Sequence, residues 1–185
     1  MRRTFSAAMI GFLLLLLPAG AGAHPHIFLE TSVGVEISSG RLEGLRVRWE
    51  WDPWLSEDII LQCDTNADGR FDASETECVR RNFFEDAWEI GYFTTILVDG
   101  RKIPFERARE FTARVMQPDG MVVFDFLLPF ARPLPARGKV EILFNDDTIF
   151  TAFDDFVGTI GDISAIKGFT SGIYEDFGVR ISFSL

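Results

Sequence analysis

The sequence predicts an α+β fold: a mostly antiparallel β sandwich or open barrel carrying an inserted helix–loop–helix. Three observations support this. Apolar and polar residues alternate through most of the chain, which is the period of half-buried strands. That period changes to helical spacing between about residues 53 and 91. Turn signals such as Ser38-Ser39-Gly40, Asp99-Gly100 and Pro118-Asp119-Gly120 punctuate the alternating segments. At 47% hydrophobic the chain can build a core, and 19 Phe against 2 Tyr favour buried aromatic packing.

The first 23 residues are read as a signal peptide. Arg2 and Arg3 give a positive start, Ala7 to Leu17 an unbroken apolar run, and Ala21-Gly22-Ala23 an A-x-A cleavage site. The run is shorter than the roughly 20 residues that span a bilayer. Cleavage, export to the periplasm and no membrane insertion of the mature chain are therefore expected. Residues 24–185 are expected to form a single β-rich domain, with the insertion at about 53–91. Loss of Arg2 and Arg3 moves the balance from 18 basic against 28 acidic residues to 16 against 28. So acidic a chain is unsuited to nucleic acid or anionic lipid and suited to cations.

Taken in order, Phe28, Val33, Val35 and Ile37 alternate before the Ser38-Ser39-Gly40 turn, and Leu45, Val47 and Trp49 alternate with Arg46, Arg48 and Glu50 after it. This reads as a hairpin ended by Pro53. A first helix follows with Ser56 as N-cap and Ile59 and Ile60 inside. A second carries Cys78, Phe83, Phe84, Ala87 and Trp88, and Gly91 stops it. Further hairpins are expected around Asp99-Gly100 and Pro118-Asp119-Gly120, with Pro129, Pro133 and Pro135 in a loop. "KVEILFND" is expected to pair with "TIFTAFDDF", and Val179, Ile181, Phe183 and Leu185 alternate in a closing strand. The total is about eight strands.

Between the helical stretches lies DTNADGRFDASE, residues 64–75. It matches D-x-[DN]-x-[DN]-G-x5-E in full, the pattern of an EF-hand calcium loop. Asp64, Asn66, Asp68, the Arg70 carbonyl, Asp72 and Glu75 are the candidate Ca²⁺ ligands. Calcium is a hard cation that takes six to eight oxygens, and alternate positions of a curling loop supply them. Gly69 allows the sharp turn, and the apolar Phe71 is placed to pack on the flanking helices. The alternative is a solvated Asp/Asn/Gly turn. Cys63 and Cys78 bracket the loop, and in an oxidising compartment they are expected as a disulfide, the alternative being two buried thiols. Such a staple restrains the opening that calcium sensors use, so the loop is expected to act as a structural brace more than as a switch.

His24 and His26 are the two histidines of the chain. With the α-amino group exposed by cleavage they offer three nitrogen donors, which suit Ni²⁺, Co²⁺, Zn²⁺ or Cu²⁺ rather than Ca²⁺. The pairs Asp146/Asp147 and Asp154/Asp155 are candidate further ligands; the alternative is a terminal tail that binds nothing specific. Read with Asp162 as acid–base groups, these acids lack a nucleophile or a phosphate loop, so no enzyme is expected.

These stretches together resemble the family known as domain of unknown function 1007. Its members start A-H-P-H, here Ala23-His24-Pro25-His26. They carry a W-x-[FW]-D-like stretch, here Trp49-Glu50-Trp51-Asp52, and then a D-x-[DN]-x-D-G loop, here Asp64 to Gly69. A late Y-D-P-T-Y-F-like segment is similar to Asn145-Asp146-Asp147-Thr148-Ile149-Phe150, but both Tyr positions and the Pro are replaced, so nothing is carried over for them. The resemblance implies a periplasmic accessory in transition-metal handling for an inner-membrane nickel, cobalt or zinc transporter. Two other readings stand beside it: a calcium-stabilised interaction module with no transition-metal role, and an enzyme with a terminal-histidine copper centre.

Overall fold

The computed structural model describes residues 26–148 and 150–185. The predicted signal segment 1–23, the cleavage point after Ala23, and His24, Pro25 and Ile149 lie outside the described residues. Among the described residues there are ten strands: β1 Ile27–Ser38, β2 Arg41–Trp51, β3 Thr94–Val98, β4 Arg101–Lys102, β5 Arg109–Val115, β6 Val122–Pro135, β7 Lys139–Phe144, β8 Thr151–Thr159, β9 Lys167–Tyr174 and β10 Gly178–Ser184. They form two five-stranded sheets, β5-β6-β2-β1-β8 and β4-β3-β7-β10-β9. Helices α1 (Pro53–Cys63) and α2 (Ala73–Val79) are inserted between β2 and β3. The α+β class holds, as two separate sheets rather than a closed barrel.

The alternation places the core as expected. Leu45, Val47 and Trp49 on β2 are fully buried on one face. On the opposite face Arg46 pairs with Glu36 and Arg48 with Asp125, each at 2.7 Å. Ser39 and Gly40, and again Asp99 and Gly100, hold positive φ at both central turn positions, the backbone a two-residue hairpin requires. On β1 Leu29, Thr31 and Val33, and Gly34 beside them, are buried, whereas Phe28 points outward and is 56% exposed.

Four expectations are corrected. First, β7 and β8 do not pair: the chain crosses between sheets, and β8 runs parallel to β1, with Leu29 opposite Phe153. Second, the N-cap of α1 is Asp52, which accepts from the Leu55 amide at 2.9 Å with Pro53 in the first turn. Ser56 is buried instead: its hydroxyl donates to the Trp51 carbonyl and accepts from the Val122 amide. Third, the second helix is regular only to Val79. Arg80–Phe84 forms a π turn closed by the Glu85 amide on the Arg80 carbonyl, followed by two 3₁₀ turns. The wider turn delivers Phe84 into the core, 4.3 Å from the Phe111 ring. Fourth, Pro129, Pro133 and Pro135 lie within β6, where the pairing with β2 shifts between Leu42 and Gly44.

One glycine contact tests the packing of β1. A Cβ on Gly34 would meet the Ile160 carbonyl oxygen at 2.2 Å, whereas a Cβ on Gly172 meets nothing within 4 Å. Gly34→Ala is expected to cost at least about 2 kcal/mol in urea unfolding. Gly172→Ala is expected to be neutral or stabilising by a few tenths. Equal stability of the two variants contradicts this register.

Candidate functional site

The acidic loop is curled by its own side chains. Asp64 accepts from the Gly69 amide at 2.9 Å and the Asp68 amide at 3.2 Å. Asn66 accepts from the Asp68 amide at 2.8 Å, and Asp68 from the Arg70 amide at 2.9 Å. Gly69 takes φ +74°, the left-handed conformation its position demands. Asp72 caps α2, accepting from the Ser74 and Glu75 amides, and Glu75 returns the bond from the Asp72 amide at 3.0 Å. This reciprocal capping box satisfies amides that a helix start leaves unpaired.

Glu75 is the unusual member. It is 2% exposed, and its carboxylate accepts from the Thr65 amide, the Thr65 hydroxyl and the Asn66 amide as well as from Asp72. The last acid of the loop thus reaches back across it to the second and third residues. Among the described residues no Lys or Arg pairs with it. The Asp72 amide, aided by Thr65 and Asn66, outweighs burial and holds the Glu75 carboxyl below its ordinary range. Asp72 is lowered too, first by the Glu75 amide and then by Ser74. Arg80 and Arg81 bring Glu77, one turn on, down to about 2.

Cys63 and Cys78 form the expected disulfide, with Cα atoms 5.7 Å apart. It joins the end of α1 to α2 and so closes the loop at its base. Phe71 is half-buried against the core.

Of the two histidines only His26 lies among the described residues. His26 is exposed; its ring lies 5.4 Å from that of Phe150, and its amide donates to the Phe150 carbonyl at 2.9 Å. Of the acidic pairs, the side chain of Asp155 lies outside the described residues. Asp146 is buried and accepts from the Thr148 amide and hydroxyl and the Thr151 amide. Burial raises its carboxyl, but these bonds win and hold it below the ordinary range. Asp147 is bound by the Asn145 side chain, and Asp162 accepts from the Ser164 amide. Asp154 shares a cleft of about 410 Å³ with His26, Glu30 and Glu50. Among the described residues no three His, Cys, Asp or Glu side chains are grouped closely enough to hold a metal ion.

A second cavity of about 450 Å³ escaped the sequence reading. Trp51, Leu55, Phe83, Ile90 and Phe150 line it, with Asp146 at its edge. Strands, insertion and the segment after β7 each contribute, so no local pattern signals it.

The family profile described as protein of unknown function (DUF1007) matches residues 9–157. The chain is also similar to an uncharacterized 15.5 kDa protein in the trpE 3' region of Spirochaeta aurantia, 29% identical over 93 residues. That alignment covers 50% of this chain and 65% of the relative.

Carboxyls lowered in the folded state stabilise it above the ordinary carboxylate pKa, and that stability is lost as pH falls through the folded values. The melting temperature is therefore expected to drop between pH 4.5 and about 2, the interval spanned by Glu77 and entered by Glu75. Glu75→Gln is expected to flatten this acid limb. An unchanged limb shows that the Glu75 carboxylate is not held by these amides.

Proposed function

The chain belongs to the DUF1007 family, and on that premise we propose that it is an exported, non-enzymatic calcium-binding protein with one EF-hand. We further propose that it serves as a periplasmic accessory in nickel, cobalt or zinc transport. The observation that carries the calcium reading is Glu75, an almost fully buried carboxylate drawn across a loop of oxygen donors without a cationic side chain beside it.

The chemistry of the donor set suits the ion, although the four carboxylates, each turned to backbone amides, do not converge into a group of three here. Asp64, Asn66, Asp68, Asp72 and Glu75 present only hard oxygen atoms, and the Arg70 carbonyl adds another. Their carboxylate oxygens already accept amide bonds, but each oxygen has about two lone-pair directions, so an amide-bound oxygen retains capacity for a cation. A bound Ca²⁺ supplies positive charge that offsets the mutual repulsion of four carboxylates. Asp72 and Glu75 hold the start of α2 and Asp64 follows the end of α1, so the ion ties the two helices the disulfide already joins.

The transition-metal role rests on His24 and His26 with the terminal amine, and on the family resemblance. The engagement of the His26 ring and amide with Phe150 favours a second reading. In it the protein is a calcium-stabilised periplasmic interaction module with no transition-metal role.

Calorimetry on the chain beginning at His24 separates the two. Calcium is expected to bind at on the order of 10⁻⁴–10⁻³ M, and at a hundredfold excess over Kd to add about 2.7 kcal/mol of stability. Asp64→Ala with Glu75→Gln is expected to abolish that gain. Ni²⁺, Co²⁺, Zn²⁺ or Cu²⁺ is expected to bind once, and at least tenfold more weakly in His24→Ala. No calcium-dependent stabilisation overturns the EF-hand reading; calcium binding without any transition-metal site leaves the interaction module.

A further inference from the structure

The cleft lined by His26 also holds acidic and apolar side chains that the calcium loop does not use. Glu30 and Glu50 stand directly opposite each other on β1 and β2. Asp154, on the neighbouring β8, faces the same cleft. Like charges in register across a sheet are destabilising. Among the described residues neither Glu30 nor Glu50 has a Lys or Arg at ion-pair distance. Burial first, then Glu50 and Asp154, push the Glu30 carboxyl upward, so the repulsion is felt. Beside the acids lie two large apolar side chains held in solvent: Phe28 is 56% exposed and Trp54 is 82% exposed. Met121 also lines the cleft. An indole so exposed contributes little to folding, and a tryptophan next to a cleft is the residue type that dominates binding energy at protein interfaces.

We propose that this cleft is a docking site for a basic segment of a partner protein, in which one Lys or Arg meets Glu30, Glu50 and Asp154 and a neighbouring apolar residue covers Phe28 and Trp54. Charge complementarity selects the partner. Glu30 and Glu50 beside two exposed aromatic side chains attract a cation both by Coulomb energy and through the ring faces, and they repel an anionic lipid surface or an acidic peptide. The proposal goes beyond the metal reading and stands whether or not the loop binds calcium.

The test uses the full mature chain in EDTA and a synthetic peptide of alternating Lys and Leu, with a Glu/Leu peptide as control. Titration calorimetry at 0.05 and 0.15 M salt measures binding. The Lys/Leu peptide is expected to bind at a single site, while the Glu/Leu peptide does not. Glu30→Gln with Glu50→Gln is expected to weaken binding at least tenfold, and Trp54→Ala at least fivefold even at the higher salt. Glu89→Gln with Asp176→Asn removes the same charge from exposed acids outside the cleft and is expected to change affinity less than twofold. Circular dichroism confirms that each variant is folded. Equal losses in the two charge-matched variants would show only diffuse attraction to an acidic protein and overturn the proposal. So would a concentration-dependent dimer, seen by sedimentation, that Trp54→Ala abolishes, because the occupant would then be a second copy.

Discussion

Trp49 is the point on which the sheets and the insertion converge. It is fully buried, and five aromatic rings surround it. Phe126 belongs to the adjacent strand and packs edge-on at 4.8 Å. Phe84 comes from the π turn, Tyr92 and Phe93 from the last 3₁₀ turn. Phe93 then meets Phe153 on β8, which stacks on Phe144 in the second sheet. Each such pair is worth about 0.5–1.5 kcal/mol beyond burial. The Trp49 indole N–H meets no acceptor among the described residues, a cost of about 1–3 kcal/mol. Several ring contacts are enough to offset it. The excess of Phe over Tyr follows from this: a core of closely packed rings has few places for a hydroxyl.

The insertion is held to this centre at both ends. Asp52 caps α1 with one carboxylate oxygen and accepts from the Phe28 amide at 2.7 Å with the other, so the start of β1 and the start of α1 are fixed together. The buried Ser56 links α1 to β6. Farther on, the Cys63–Cys78 bond and Glu75 close the acidic loop. With both helices tied to the sandwich and to each other, little freedom is left for the opening that calcium sensors use. That constraint is why the loop is proposed as a brace. It also places the cleft of Glu30, Glu50 and Trp54 at the rigid end of α1.

Much of this was legible in the sequence where the cause is local. Alternation gave the buried face of β2, two turn signals gave their hairpins, and two cysteines in a chain expected to be exported gave the disulfide. What was not legible depends on partners distant in sequence. Asp52 reads as the end of a W-x-W-D stretch, and nothing nearby shows that it also takes an amide from residue 28. Ser56 has the residue type of a cap but is spent on β6. The π turn is invisible to a 3.6-residue period because the core, through Phe111 and Tyr92, decides where Phe84 must go. The crossing of β8 to pair parallel with β1 is a tertiary choice; adjacency in sequence argued for β7. For the site the sequence supplied the loop residues and the histidine, and only the fold shows that Asp146 is spent on the Thr148 and Thr151 amides.

The most direct measurement of the central claim is a crystal structure of residues 24–185 grown in excess calcium. The account predicts an ion in the 64–75 loop, bound by oxygens of Asp64, Asn66, Asp68, Asp72 and Glu75 and by the Arg70 carbonyl at about 2.3–2.6 Å, with α1 and α2 where they stand here. A loop that keeps its amide-bound carboxylates and shows no ion at that concentration would contradict it.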